Sequence, residues 1–279
     1  MASSKNIPST SELPKKEKIP VTKKSPSSSP TPSSPSPSPS PKKKKSTASL
    51  HRTAVISQNF ITVGIDEAGR GPILGPLVTA ALAFTPDQIK QLEWLGVKDS
   101  KKLSRDTRDE LFERIREVTH DFRIEFIEPD AIDSTLRDPA TNLNWLEADT
   151  QARLTCELDP DIVIIDCPSP NIPAYTEYFK KRLSTGVKKK VKIIMEHKAD
   201  ANHLPVAAAS IVAKVLRDKA MDSICNDIGK DVGSGYPSDP VTKKFIAEHY
   251  QDYPEIFRKS WSTYKALEEK KKQKTLGEF

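Results

Sequence analysis

Residues 60–84 are FITVGIDEAGRGPILGPLVTAALAF. Residues 60–65 (FITVGI) and 77–84 (LVTAALAF) are apolar runs of strand length, the pattern of strands buried on both faces. Gly69-Arg70-Gly71-Pro72 and Gly75-Pro76 lie between them and make a tight, glycine-rich turn. The first strand leads straight into two acids, Asp66 and Glu67.

Further strands are expected at residues 122–127, 162–165 and 191–195, each a short run rich in Ile, Val or Phe. Ser104 can cap a helix running to about residue 120, with Leu111, Phe112, Ile115 and Val118 on one face. Other helices are expected over residues 142–158, 174–183, 205–228 and 261–272; Pro205 suits the first turn of the third. Strands first in a meander and then alternating with helices indicate an α/β fold, a mixed sheet flanked by helices with a helical C-terminal region. No internal repeat is visible.

The chain has 279 residues and a formal net charge of +6. Residues 1–52 hold ten lysines and Arg52 against Glu12 and Glu17, which is +9, so the remainder sits near −3. The basic balance therefore belongs to the tail. Residues 25–41 are all Ser, Pro or Thr and are followed by Lys42, Lys43, Lys44 and Lys45. Such a segment has nothing to bury and should stay disordered. It reads as an electrostatic tether to nucleic acid, as an import signal in a cell with a nucleus, or as a solvated tail without a partner. The domains expected are a basic tail at 1–53, a folded unit at 54–265 and a C-terminal tail at 266–279.

Cys156, Cys167 and Cys225 form no C-x-x-C pair and suit neither a disulfide framework nor a zinc knuckle. No apolar segment after Met1 suggests secretion, and no run is long enough to cross a bilayer. A soluble cytoplasmic monomer is expected, nuclear if the source is eukaryotic.

The acids carry the chemistry. Asp66 and Glu67 follow one strand, Asp166 ends another, and Asp200 follows the strand at 191–195 after a four-residue link. Open α/β sheets place ligand sites at such strand ends. Carboxylates converging there repel unless a cation lies between them, and hard divalent ions prefer oxygen ligands. Isolated strand-end acids are also common as simple caps, so spacing alone leaves the metal site open. His197 and His203 match no zinc spacing. Arg70 can meet a phosphate bidentately or stand solvated in its turn.

Together these residues resemble the ribonuclease HII family. Residues 64–72 (GIDEAGRGP) are similar to its opening signature. Asp99-Ser100-Lys101, Asp166, Lys198-Ala199-Asp200, residues 209–214 (ASIVAK), Arg217-Asp218 and residues 233–237 (GSGYP) follow in the family's order. The match spans about residues 62–261. The resemblance implies a ribonuclease H-like fold in which Asp66, Glu67, Asp166 and Asp200 hold two Mg²⁺ or Mn²⁺ ions. It implies cleavage of the RNA strand of RNA–DNA hybrids and at single ribonucleotides in duplex DNA, leaving a 5′-phosphate and a 3′-hydroxyl, in ribonucleotide and RNA primer removal. The Gly69, Arg70 and Gly71 backbone and Tyr236 would sense the ribose 2′-OH. Ser100, Lys101, Ser210 and Lys214 would contact phosphate or steady the acids.

Ribonuclease HIII is disfavoured because the Gly-Arg-Gly turn is present and the N-terminal extension is low in complexity. The relatives implied are archaeal, or a eukaryotic catalytic subunit that would need two accessory chains. A DNA-specific recombinase on the same fold would use the same acids, and a binding protein without activity would need none of them. Gln273, Leu276 and Phe279 resemble a sliding-clamp-binding (PCNA-interacting) motif, with one terminal aromatic where the motif usually has two. One helical turn would present Leu276 and Phe279 to an apolar groove.

Overall fold

A computed structural model of the chain describes residues 60–97 and 104–276. Strand β1 (Thr62–Ala68) pairs antiparallel with β2 (Leu77–Phe84), which pairs antiparallel with β3 (Asp121–Ile127). On its other side β1 pairs in parallel with β4 (Ile162–Asp166), which pairs in parallel with β5 (Lys192–Glu196), giving the order β3-β2-β1-β4-β5. The meander and the parallel strands meet at β1. That strand is the centre of the sheet.

Alternation along β1 sends even and odd residues to opposite faces. On one face lies the 25-residue helix α8 (Leu204–Ile228), whose buried Ala207, Ala208, Ala209, Ile211 and Val212 pack with Val78, Ala80, Leu82 and Phe84 of β2. The approach is close: a methyl group on Gly64 would lie 2.2 Å from the carbonyl carbon of Pro205. Only glycine lets the helix backbone sit that near the strand. On the other face, Val63 and Ile65 join Ala152 and Leu154 of α4 (Leu143–Leu158) and Phe179 of α5 (Ile172–Arg182). Helix α2 (Arg105–Val118), capped by Ser104, buries Leu111, Phe112 and Ile115 in the α8-side core.

Several boundaries differ from the sequence expectation. β1 runs on to Ala68 because β2 supplies partners for Asp66, Glu67 and Ala68, so both acids lie within the strand rather than beyond it. Short helices form that apolar periodicity did not reveal: α1 (Pro86–Trp94), α3 (Pro129–Leu136), α6 (Thr185–Lys190), α7 (Ala199–Asn202) and α9 (Pro240–His249). Several of them start at caps. Thr85 and Gln88 make a reciprocal capping box before Pro86, and Asp239 caps α9. The last helix, α10 (Ser262–Leu276), runs a turn beyond the expected end near residue 272. Ser100, Lys101, Phe279 and the basic tail lie outside the described residues. Among the described residues no helix is long and apolar enough to cross a membrane.

Candidate active site

Three of the four expected acids converge. Carboxylate oxygens of Asp66, Asp166 and Asp200 lie within 4.8 Å of one another. Asp66 comes from the middle strand and Asp166 from the last residue of its parallel neighbour. Asp200 arrives on α7, after Lys198 turns the chain with a φ of 60°. That left-handed residue costs a non-glycine backbone about 1 kcal/mol or more, and it has a visible return. The backbone N–H groups of Lys198 and Ala199 donate to Asp166 Oδ1 at 2.8 and 3.4 Å, tying the second acid to the segment that carries the third.

The donor set fits a hard divalent cation: all ligand atoms are carboxylate oxygens, close enough to share one counterion. The electrostatics point the same way. Burial, with the Asp166 charge adding to it, raises the Asp66 carboxyl to about 6 against hydrogen bonds from Ser210 and the Glu67 backbone and the charge of Lys214. Ser210 is buried, and its hydroxyl accepts a 2.6 Å hydrogen bond from Lys214 Nζ. Ser210 and Lys214 thus stand beside Asp66 on the α8 face.

Glu67 is not in that cluster. It points to the α4 face, where its Oε2 lies 3.5 Å from Gln151 Nε2. Burial pushes its carboxyl well above the usual range, with Glu147 and Asp66 adding to the shift and Arg70 opposing it.

The turn after β1 is built around Gly69, whose φ of +91° suits glycine and whose missing side chain leaves room for Arg217. The Arg70 side chain is 36% exposed and its guanidinium has partners within the chain. It pairs with the fully buried Glu147 carboxylate and donates to Asn144 Oδ1 at 2.6 Å, both on or beside the start of α4. A buried carboxylate without a countercharge is costly, and that demand fixes the arginine. The carbonyl oxygens of Arg70 and Gly71 accept hydrogen bonds from Arg258 Nη1 and Trp261 Nε1, both at 3.2 Å. Tyr236 lies beside the turn, its ring 3.3 Å from where a methyl on Gly71 would sit, and it stays partly exposed. Its loop is tied to the turn by Ile73 N–H donating to the Gly235 carbonyl at 2.9 Å. Arg217 supports the loop through Ser234 O at 2.8 Å and lies over the Tyr236 ring.

Sequence reading named Arg217 only as one of the ordered motif residues, and missed Asn144, Glu147, Gln151, Arg258 and Trp261 as parts of this region. The only local signal was polar residues at positions 144, 147 and 151, spaced to share one helical face. The two histidines near the acids are engaged elsewhere: His197 with Ser169 O and His203 with Glu196.

A mixed sheet of this order, with acids gathered from β1, β4 and the segment after β5, defines a class: the nucleases of ribonuclease H-like fold. Comparison with known proteins narrows it. The family model for Ribonuclease HII matches residues 63–264. Ribonuclease HII of Thermococcus sibiricus is 45% identical over 210 residues, covering 74% of this chain and 91% of the relative. The crystal structure of ribonuclease H2 from Pyrococcus horikoshii OT3 superposes with a TM-score of 0.68 at 34% identity, over 76% of this chain and 98% of that one. The ribonuclease in the PCNA:RNase HII complex from Archaeoglobus fulgidus gives 0.65 at 34% identity, over 73% and 96%.

The chain belongs to the ribonuclease HII family. It is an endoribonuclease, a hydrolase acting on the RNA of RNA–DNA hybrids, from a family that uses divalent metal ions.

Proposed function

We propose that the enzyme cuts both the RNA strand of hybrids and single ribonucleotides embedded in duplex DNA, leaving a 5′-phosphate and a 3′-hydroxyl. Asp66, Asp166 and Asp200, joined by Glu67 from the opposite face of β1, are the groups to hold two Mg²⁺ or Mn²⁺ ions. When bound, such ions activate the attacking water and stabilise the leaving 3′ oxygen of the phosphodiester. The chain's own residues prepare the place: the Lys198 and Ala199 amides orient Asp166, and Ser210 with Lys214 orients Asp66.

The observation that carries substrate choice is the Gly69-Arg70-Gly71 turn lying directly after the acids and against Tyr236. Its carbonyls are turned inward onto Arg258 and Trp261. The backbone N–H groups of Arg70 and Gly71 have no intramolecular partner among the described residues. Donors beside an exposed aromatic ring suit a ribose hydroxyl, the group that separates RNA from DNA. A site built to bond a hydroxyl discriminates against its absence by roughly 10⁴–10⁵. Incubation with a DNA duplex carrying one central ribonucleotide, beside its all-deoxy twin, tests this reading. Cleavage of the first alone is expected, and equal cleavage of both would overturn it.

Residues 54–265 are the proposed catalytic unit and 1–53 a basic tail. Residues 266–279 are proposed to bind a sliding clamp through Gln273, Leu276 and Phe279. Support comes from the archaeal relative described in complex with PCNA, and from α10, which reaches Leu276 and leaves Gln273 exposed. Calorimetric titration with the cognate clamp should show binding to the full chain that disappears in Leu276→Ala/Phe279→Ala. Undiminished affinity would return this segment to an ordinary chain end.

A further inference from the structure

We propose that Glu147 is a positioning residue for cleavage: by holding the Arg70 side chain against α4, it sets the Gly69-Arg70-Gly71 turn relative to Glu67. This rests on reading that turn as the ribose sensor.

Glu147 has no exposure at all, lies on a helix remote in sequence from the turn, and pairs with an arginine 77 residues away. Its Oε2 takes the guanidinium, while Oε1 is buried without a hydrogen-bond partner. As a device for stability this is poor. Well-packed apolar residues generally match or exceed a buried ion pair, whereas the pair does fix one geometry.

The geometry it fixes is that of the turn. Three other residues hold the same segment through four hydrogen bonds: Arg258 on the Arg70 and Gly75 carbonyls, Trp261 on the Gly71 carbonyl, and Asn144 on the Arg70 guanidinium. Arg258 and Trp261 grip the backbone from the C-terminal region. Glu147 and Asn144 hold the side chain from α4. One turn further along α4, Gln151 reaches Glu67 and accepts a 2.9 Å hydrogen bond from the buried Tyr175 hydroxyl. One helix face therefore carries the partners of both the turn and the acid. Rotation or shift of α4 would move them together. Arg70 is thereby a strut, and the substrate-facing part of the turn is its backbone.

The test compares Glu147→Gln, Glu147→Leu, Arg70→Met and the double variant Arg70→Met/Glu147→Leu on a duplex with one embedded ribonucleotide. Because misplacement of a reacting group by about 1 Å costs roughly a hundredfold, kcat should fall about ten- to hundredfold in Glu147→Leu. KM should change less than about threefold, and Glu147→Gln, which keeps an acceptor for Arg70, should recover part of the loss. The double variant should be no slower than Arg70→Met alone, since both act through one contact. If Glu147→Leu fails to fold, the double variant removes the stranded charge and Glu147→Gln keeps the shape, so the comparison stands. Wild-type kcat in a folded Glu147→Leu would overturn the proposal. So would losses that multiply in the double variant, or a defect confined to KM. Equal cutting of the all-deoxy duplex by the wild type would instead overturn the ribose-sensing reading beneath it.

Discussion

Asp66 and Glu67 are neighbours in β1, yet they face opposite sides of the sheet and meet opposite chemistry. On the α8 side, Asp66 has a buried hydroxyl from Ser210 and the ammonium of Lys214 close by, set into a helix pressed on the strand at Gly64. On the α4 side, Glu67 faces Gln151 with a second buried acid, Glu147, acting on it, and the arginine that relieves them is borrowed from the turn. One face supplies compact donors to a cluster of acids. The other stores a charge and uses its neutralisation to fix a loop. A strand can serve both because its side chains alternate, so a single Asp-Glu pair links the acidic cluster to the glycine-rich turn.

Removal of an acid on the α8 side should have the largest effect. Asp66→Asn and Asp166→Asn should each lower the cleavage rate by about a thousandfold or more while the fold survives. Loss of a ligand removes several kcal/mol of charge stabilisation, and each 1.36 kcal/mol is roughly tenfold in rate. Initial rates at saturating Mg²⁺, with circular dichroism as the control for folding, decide the matter. Rates near wild type in both variants would contradict the assignment.

A smaller effect is expected from the helix–strand contact itself. Gly64→Val forces side-chain atoms into the Pro205 backbone, which sits within 2.5 Å of even a single methyl. Overpacking of a tight core costs about 1–3 kcal/mol. Thermal unfolding should therefore begin several degrees lower, with activity falling as α8 and its Ser210 are pushed away from Asp66. An unchanged melting temperature would mean that α8 yields at no cost.

The mildest test titrates both faces at once. Burial raises the carboxyls of Asp66 to about 6 and Glu147 to about 7, and Glu67 also upward. Unfolded, such groups titrate near about 4. The folded metal-free protein thus binds extra protons between roughly pH 4 and 7, and this contribution to stability is lost as pH rises through that window. In chelator, the melting temperature should be lower at about pH 8 than at about pH 5.5, and Asp66→Asn should narrow the gap. A gap of equal size in that variant would mean that Asp66 does not take part.

Much of the α8 side was legible in the sequence because its signals are local. The runs ending near Asp66 and Asp166 are continuous apolar strands, and the link to Asp200 is four residues long. The ordered pieces from residues 64–72 to 233–237 then gave the family. The α4 side was hidden. Glu147 in a helix reads as a solvated residue, and its burial depends on an arginine that is adjacent only once the sheet has formed. The partner of Arg70 was hidden for the same reason: a lone arginine between glycines shows no partner until the helix carrying Glu147 is packed beside it. Helices such as α1 and α9 bury few apolar residues and so show little periodicity, although Thr85-Pro86 and Asp239-Pro240 mark their starts.

Asp66 and Glu67, on opposite faces of β1, are proposed to serve one catalytic centre. The most direct test is the rate at which Glu67→Gln cuts a duplex with one embedded ribonucleotide, measured beside Asp66→Asn at saturating Mg²⁺. Loss of cleavage in Glu67→Gln comparable to that in Asp66→Asn, with both proteins folded, is the predicted result. Near-normal cleavage by Glu67→Gln would contradict the account and leave the centre to the three aspartates on their own.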